Sequence, residues 1–175
     1  VDEVVGNIGD NASHLGLHNI LKKIIGNDFE IEELEIRRFY KNYNLQNKMF
    51  FDNNFVNYAN NFDLLFIGGG GFLDYWVEGS QTATTIDISE KVFDKIQIPV
   101  IIGSVGSHPH KPIPIGNRER YERLLQYVNY RNNIQILLRN DGSKKHLTEV
   151  FGKDLIKNIP VILDNAFFFQ PVYDS

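Results

Sequence analysis

Four short apolar segments, each ending at a glycine or a polar residue, constrain the fold of this chain more than any other feature. They occupy residues 63–67, 99–102, 133–138 and 160–163. Consecutive apolar positions bounded by turn residues are typical of strands buried on both faces of a parallel sheet. Segments with the apolar spacing of helices lie between them. This alternation predicts an α/β fold, an open, mostly parallel Rossmann-like sheet with helices on both faces.

The helical segments have recognisable beginnings and ends. They cover residues 11–25, 51–58, 89–95, 117–130 and 143–151. Gly26 supplies a stop for the first, Asp87 or Ser89 can cap the third, and Ser143 is expected to cap the last. A weaker strand is predicted at residues 30–39, and the tail of a further strand at residues 1–5.

Composition excludes several classes of protein. The 175 residues fit one ordinary domain. The absence of cysteine rules out a disulfide scaffold, a thiolate nucleophile and a cysteine-ligated metal. The formal net charge is -4 and no basic run is present, which argues against a nucleic-acid partner. No apolar run approaches the ~20 residues of a membrane-spanning helix.

The longest irregular stretches follow the ends of two predicted strands. They span residues 68–86 and 103–116. Ligands bind outside the carboxyl ends of the strands in open α/β sheets, and loops of this length in a compact domain are often functional. We therefore expect the functional site on these loops.

A polar segment, GNIGDN, precedes the first predicted helix and contains Gly9, Asp10 and Asn11. A helix beginning there can bind an anion or a polar ligand. The G-x-G-x-x-G spacing of a dinucleotide site is absent. The alternative is that Asp10 or Asn11 simply caps the helix, with nearby His14 a surface or packed histidine.

Four consecutive glycines, residues 68–71, follow the first predicted strand and precede Asp74. Glycines allow the backbone to approach another group closely, either a ligand or an adjacent loop. The lysine and Ser/Thr of a P-loop are missing, so that type of phosphate site is excluded.

Two histidines, His108 and His110, flank a proline in the loop after the second strand. This position suits an acid/base histidine. A metal pair and an inert loop are the alternatives. Since an isolated H-x-H pair is weak evidence for a metal, no metal site is assigned.

A single arginine, Arg139, ends the third predicted strand. Its guanidinium can bind a carboxylate or a phosphate through two parallel hydrogen bonds. A salt bridge with Asp141, Asp164 or Asp74 is an equally weighted interpretation. Beyond Asp164, three phenylalanines at residues 167–169 are expected to pack in a core or an interface.

Taken together, these motifs resemble the polysaccharide pyruvyl transferase family. The resemblance is carried by GNIGD at residues 6–10, DLLFIGGGGFLD at 63–74, PVIIG at 99–103, LRNDGS at 138–143 and DNAF at 164–167. The family usually has proline where Asn165 stands.

The resemblance implies a cytoplasmic transferase of polysaccharide biosynthesis. Such enzymes move the enolpyruvyl unit of phosphoenolpyruvate to a sugar hydroxyl of a cell-surface polysaccharide and form a pyruvate ketal. Phosphoenolpyruvate is the donor substrate, a carbohydrate is the acceptor, and no cofactor is expected. The implied fold is similar to that of two-domain glycosyltransferases of the B type. Residues 1–175 look like the N-terminal, acceptor-side half, without the C-terminal domain that contributes most of the phosphoenolpyruvate site.

The resemblance also suggests roles for particular residues. Arg139 is the expected anion partner, and His108 or His110 the expected proton carrier. The predicted substrate-binding residues are Asn7, Gly9, Asp10, Asn11, Gly69, Gly70, Gly71, Asp74 and Ser143. Two alternatives stay open: a non-catalytic sugar- or nucleotide-binding Rossmann-like domain, and a domain that is active only as a homo-oligomer through residues 167–169.

Overall fold

A four-stranded parallel sheet forms the centre of the molecule. The computed structural model describes residues 8–42, 44 and 46–170. Its strands are β1 Leu65–Gly68, β2 Val100–Val105, β3 Ile134–Arg139 and β4 Val161–Ile162. They lie in the order β1-β2-β3-β4, and every neighbouring pair is parallel. The four apolar strands and the open, Rossmann-like α/β class predicted from the sequence are therefore confirmed.

Helices connect the strands as the apolar spacing predicts. They are α1 Ile8–Ile25, α2 Asn53–Ala59, α3 Glu90–Phe93, α4 Asn117–Asn129, α5 Ser143–Phe151 and α6 Lys153–Ile156. Two short 3₁₀ helices span Ile36–Phe39 and Asn165–Phe168. Helix α6 is an addition to the predicted set. Ser89 caps α3 by accepting the Val92 N–H, which decides between the two predicted caps.

The core lies on the sheet and under the crossover helices. Ile102 and Leu138 on the central strands and Leu125 on α4 are fully buried. Strand β3 was predicted to be buried on both faces, but one face is only partly covered, since Gln135 on that face is exposed. The two long loops carry no helix or strand from Gly69 to Thr85 and from Gly106 to Gly116, as predicted.

Helix α1 packs directly against the 3₁₀ helix Asn165–Phe168. A Cβ atom added at Gly16 would lie 1.8 Å from the backbone oxygen of Asn165. Only a glycine permits this approach, so the position of α1 is fixed by backbone contact. The helix ends at Ile25, and Gly26 follows with φ +80°, which confirms the predicted stop.

The strand predicted at residues 30–39 is wrong. Residues 28–35 are irregular, and the 3₁₀ helix Ile36–Phe39 follows. No strand edge pairs with this segment among the described residues, and Ile31 and Leu34 remain exposed. The Glu35 carboxylate accepts the Arg37 N–H at 3.2 Å, which turns the chain into the 3₁₀ helix.

Two predicted helix caps are also wrong. Helix α1 begins at Ile8, so Asp10 and Asn11 lie inside its first turn. The cap position of α5 is Gly142, with φ +95°, and Ser143 is the first helical residue. The Ser143 hydroxyl is instead used in contacts between loops, described below.

The phenylalanines at residues 167–169 do not enter the core. Their exposed fractions are 71%, 40% and 39%, so the predicted core environment is wrong, and the predicted interface stays a prediction. The strand predicted at residues 1–5 lies outside the described residues. Within the described part of the chain, no helix is both long enough and apolar enough to cross a membrane.

Candidate functional site

The two long loops join each other where β1 and β2 end. Gly106 N–H donates to Gly70 O at 2.9 Å, and Leu73 N–H donates to Gly106 O at 3.1 Å. These bonds continue the parallel pairing past the strands. They place the glycine run beside the histidine-containing loop, at the sheet edge where a ligand site is expected.

Asp74 is a buried carboxylate at this junction, with only 6% of the residue exposed. Its Oδ1 accepts the His108 backbone N–H at 2.7 Å, and its Oδ2 lies 3.5 Å from His110 Nδ1. Burial raises the pKa of Asp74, while the His108 N–H and the charges of His110 and Arg139 oppose the rise. A carboxylate of raised pKa therefore lies next to an imidazole.

The glycine run passes close to helix α1. Gly69 has φ +98°, and a Cβ atom there would lie 3.5 Å from Ser13 Oγ. Ser13 is 3% exposed, and its hydroxyl has no hydrogen-bond partner among the described residues. A Cβ atom at Gly71 would lie 3.6 Å from Asp74 Oδ2. The glycines thus bring the backbone between the first helix and the buried carboxylate.

Asp10, in the first turn of α1, belongs to the same electrostatic neighbourhood. Burial raises its pKa, and Arg139 and Arg37 lower it. The negative charges of Asp164 and Glu35 raise the pKa further. The charges of Arg37, Arg139 and Asp164 therefore act on Asp10, although these residues are distant from it in the sequence.

Arg139 is held by two carboxylates. Its Nε lies 2.5 Å from Asp141 Oδ2, and its Nη1 lies 3.6 Å from Asp164 Oδ2. A Cβ atom at Gly106 would lie 2.9 Å from Arg139 Nη2, so the guanidinium covers this glycine. The salt bridges weighed from the sequence are present with Asp141 and Asp164. Asp74 lies within electrostatic reach of Arg139.

Ser143 connects the ends of β2 and β3. Its Oγ donates to Asp141 Oδ1 at 2.5 Å and accepts the Ser107 N–H at 2.7 Å. Ser107 Oγ in turn donates to Leu73 O at 2.9 Å. Ser107 and Ser143 are both fully buried. Burial would raise the pKa of Asp141, but hydrogen bonds from Ser143 and Arg139 lower it below its usual value.

A family model for polysaccharide pyruvyl transferase matches residues 7–175. The chain belongs to the polysaccharide pyruvyl transferase family. No curated protein and no solved structure matches the chain. The matched segment contains the whole Rossmann-like sheet and both loops that carry the candidate site.

In this pyruvyl transferase family member, most of the predicted site residues lie at one edge of the sheet. Asn7 lies outside the described residues. The residues brought together by the contacts above are Asp10, Gly69, Gly70, Gly71, Asp74, His108, His110, Arg139 and Ser143. Gly9 and Asn11 share the first turn of α1 with Asp10. An open depression of about 620 Å³ around Phe39, Lys41 and Asp87 includes none of the predicted residues.

Two features of this family member's site could not be found from the sequence. His146 of α5 lies 2.8 Å from the Tyr75 hydroxyl, and its ring centroid lies 4.7 Å from that of His108. Ser104 has φ 55°, a strained conformation for a residue other than glycine, and its Oγ accepts the Asn165 N–H at 3.0 Å. Ser104 lies between Gly103 and Val105, and no local signal in the sequence predicts a left-handed backbone there.

Proposed function

We propose that this chain forms the acceptor-sugar side of a pyruvyltransferase that moves the enolpyruvyl unit of phosphoenolpyruvate to a sugar hydroxyl of a polysaccharide. One observation carries the proposal. The buried Asp74 carboxylate, beside His110 and the glycine run, lies at the carboxyl ends of the strands. Membership of the family supports the class of reaction.

The proposed reaction requires one proton to be added and two to be removed. C3 of phosphoenolpyruvate takes up a proton and becomes a methyl group, while C2 becomes electrophilic. Two hydroxyl oxygens of the sugar form bonds to C2 and lose their protons. The C2–O bond to phosphate breaks, the departing phosphate takes up the second proton, and the products are the pyruvate ketal and inorganic phosphate. The enzyme must therefore supply a base near the sugar and an acid near C3.

Asp74 is the group that we assign as the base. Its raised pKa makes the carboxylate a stronger proton acceptor than an exposed aspartate. The adjacent His110 side chain is 70% exposed and can pass the proton to water. His108 is less suited to this role, because its backbone N–H holds Asp74 and its ring lies against His146.

Carboxylates surround Arg139, the residue that was predicted to bind phosphoenolpyruvate. Arg139 is already paired with Asp141 and Asp164, and Asp10 adds a further nearby carboxyl group. We propose that these oxygens accept hydrogen bonds from sugar hydroxyls, with Arg139 holding them in position. The cations that bind phosphoenolpyruvate are then expected from another domain or a second copy of the chain.

The test combines a reaction with a titration. The protein is incubated with phosphoenolpyruvate and a galactose- or mannose-containing acceptor, and released phosphate is measured. In parallel, acceptor sugars, phosphoenolpyruvate and nucleotides are titrated into the protein by calorimetry. We expect acceptor-sugar binding by this chain alone, and phosphate release that depends on the acceptor once a second copy or another domain supplies the cations that bind phosphoenolpyruvate. Failure of both to appear would contradict the proposal.

A non-catalytic sugar-binding domain is the second candidate, favoured by the pairing of Arg139 with two aspartates. Sugar binding without phosphate release, even when a protein supplying the C-terminal half of the family fold is added, would support it. Binding of a nucleotide but not of a sugar would contradict both candidates, since both require a bound sugar. We do not expect nucleotide binding, because the carboxylates of Asp10, Asp141 and Asp164 should repel a phosphate.

A further inference from the structure

We infer that His14, His18 and Glu33 form a binding site for a divalent transition-metal ion of the zinc class. One ligand atom from each residue lies within 4.8 Å of the other two. The inference is independent of the proposed function, because none of its three side chains has a role there. It also assigns a role to His14, which the sequence left as a surface or packed histidine.

The site joins a helix to an irregular segment. His14 and His18 are four residues apart on α1, so they project from the same face of the helix. Their ring centroids lie 4.7 Å apart. Glu33 reaches them from residues 28–35, the segment that has no regular secondary structure. Its Oε1 lies 2.7 Å from His14 Nε2 and 3.2 Å from His18 Nε2.

These distances are close to those of a metal-bound set. Zinc binds imidazole nitrogen and carboxylate oxygen at about 2.0–2.2 Å, so two ligands in tetrahedral coordination lie roughly 3.3 Å apart. The separations of 2.7 and 3.2 Å from the Glu33 oxygen differ from that value by about 0.6 and about 0.1 Å. Small side-chain rotations would therefore admit an ion between the three groups.

The chemistry of the donors selects the class of ion. Two imidazoles and one carboxylate suit zinc and related first-row ions, whereas Mg²⁺ prefers oxygen ligands and bound water. The side chains of His14, His18 and Glu33 are 42%, 26% and 56% exposed. Water can therefore reach the site from the side of His14 and Glu33 and complete the coordination, whereas His18 Nε2 itself is buried.

An ordinary ion pair explains the cluster less well. A single carboxylate oxygen contacts two imidazoles, although one histidine would be enough for a pair. A divalent cation coordinated by Glu33 and both histidines would use both of these contacts and would fix residues 28–35 against α1.

The experiment measures Zn²⁺ binding to the whole chain by calorimetry. We compare the wild type with His14→Ala, His18→Ala and Glu33→Gln. Glu30→Gln is the matched control, since Glu30 is an exposed carboxylate of the same segment. We expect one Zn²⁺ per chain, a loss of affinity of about tenfold or more in each of the three variants, and no change in the control. Mg²⁺ should not bind at this site.

Two further readouts separate a metal site from a structural contact. Co²⁺ should give the visible absorption of a four-coordinate site in the wild type and not in Glu33→Gln. Zn²⁺ should slow amide hydrogen exchange within residues 28–35. Glu33→Gln can still accept a hydrogen bond from His14, so it tests the site even where an alanine variant fails to fold. Wild-type affinity in all three variants, or no binding of Zn²⁺ by the wild type, would overturn the inference.

Discussion

Two carboxylates of the candidate site have pKa values that are shifted in opposite directions. Asp141 follows β3, and Asp74 lies in the loop that follows β1. Asp141 accepts bonds from Ser143 and Arg139, and its pKa is lowered. Asp74 is buried with fewer partners, and its pKa is raised. A fully hydrogen-bonded carboxylate holds loops in place, whereas one with few partners retains the capacity to take a proton or a ligand. Under the proposed function, Asp141 belongs to the scaffold of the site and Asp74 to its reactive side, and the predictions below test that separation.

The largest effect is expected for Asp74→Asn. The amide oxygen can still accept the His108 N–H, but it cannot act as a base. Phosphate release should fall by about 10²–10⁴-fold, the usual contribution of a general base, with little loss of stability. Asp63→Asn, an exposed aspartate ahead of β1, is the matched control. Retention of full activity by Asp74→Asn would remove Asp74 from the mechanism.

The next largest effect is expected for Ser143, whose hydroxyl bonds both Asp141 and the Ser107 backbone. Ser143→Ala removes the acceptor of the buried Ser107 N–H and a donor to Asp141. Leaving a buried N–H unpaired should lower the free energy of unfolding by about 1–3 kcal/mol. Urea denaturation measures the loss. Thr148→Ala is the control, since its half-buried hydroxyl only bonds back to Lys144 O in the same helix. Equal losses in the two variants would show that Ser143 has no special role.

The contributions of Asp74 and Asp141 to the free energy of unfolding should change with pH in opposite directions. The folded-state pKa of Asp74 is raised, so its contribution to stability falls as pH increases from the ordinary carboxyl value through the raised value. Asp74→Asn should therefore gain stability relative to the wild type as pH rises. The folded-state pKa of Asp141 is lowered, so its contribution is complete above the ordinary value and is lost as pH falls through the lowered one.

Asp141→Asn should consequently be less stable than the wild type near neutral pH, and the deficit should shrink in acid. Urea unfolding at several values between about pH 3 and pH 7 spans the carboxyl range. Asp154→Asn is the control, because that carboxylate is 98% exposed. If the two site variants followed the same trend with pH, the proposed contrast between Asp74 and Asp141 would be wrong.

The smallest effect is expected for Arg139→Lys. Lysine keeps the charge but cannot contact Asp141 and Asp164 with one planar group. Stability should fall by about 1 kcal/mol or less, as for partly exposed ion pairs, and KM for phosphoenolpyruvate should not change. Arg131→Lys, in the surface pair with Asp94, is the control. A large increase in KM for phosphoenolpyruvate would show that Arg139 binds the donor.

The sequence predicted the sheet well, because burial between neighbouring strands requires continuous apolar runs such as those of β2 and β3. It failed at residues 30–39, where four apolar residues at positions 31, 34, 36 and 39 indicate a weak strand. Among the described residues no strand edge pairs with this segment, and the Glu35 side chain bonds the local backbone. Propensity cannot reveal whether a partner edge exists, since that depends on the complete fold.

The sequence predicted which residues belong to the candidate site, but not the hydrogen bonds and ion pairs that connect them. The position of Asp74, His110 and Arg139 after strands was enough to place them together. The assignment of Ser143 as a cap was wrong, because its hydroxyl bonds Ser107 across two loops. The pairing of Glu33 with His14 and His18 was also invisible, since an irregular segment gives no periodicity that would place it in space.

The backbone of Asn165 bears on the affinity of any ligand at this edge of the sheet. Its oxygen faces Gly16 of α1, and its N–H is bonded to Ser104 at the end of β2. One residue thus joins the first helix to the central strand before a ligand arrives. A sugar bound between them would not have to pay the entropy of ordering these two walls, so more of its contact energy would be expressed as affinity.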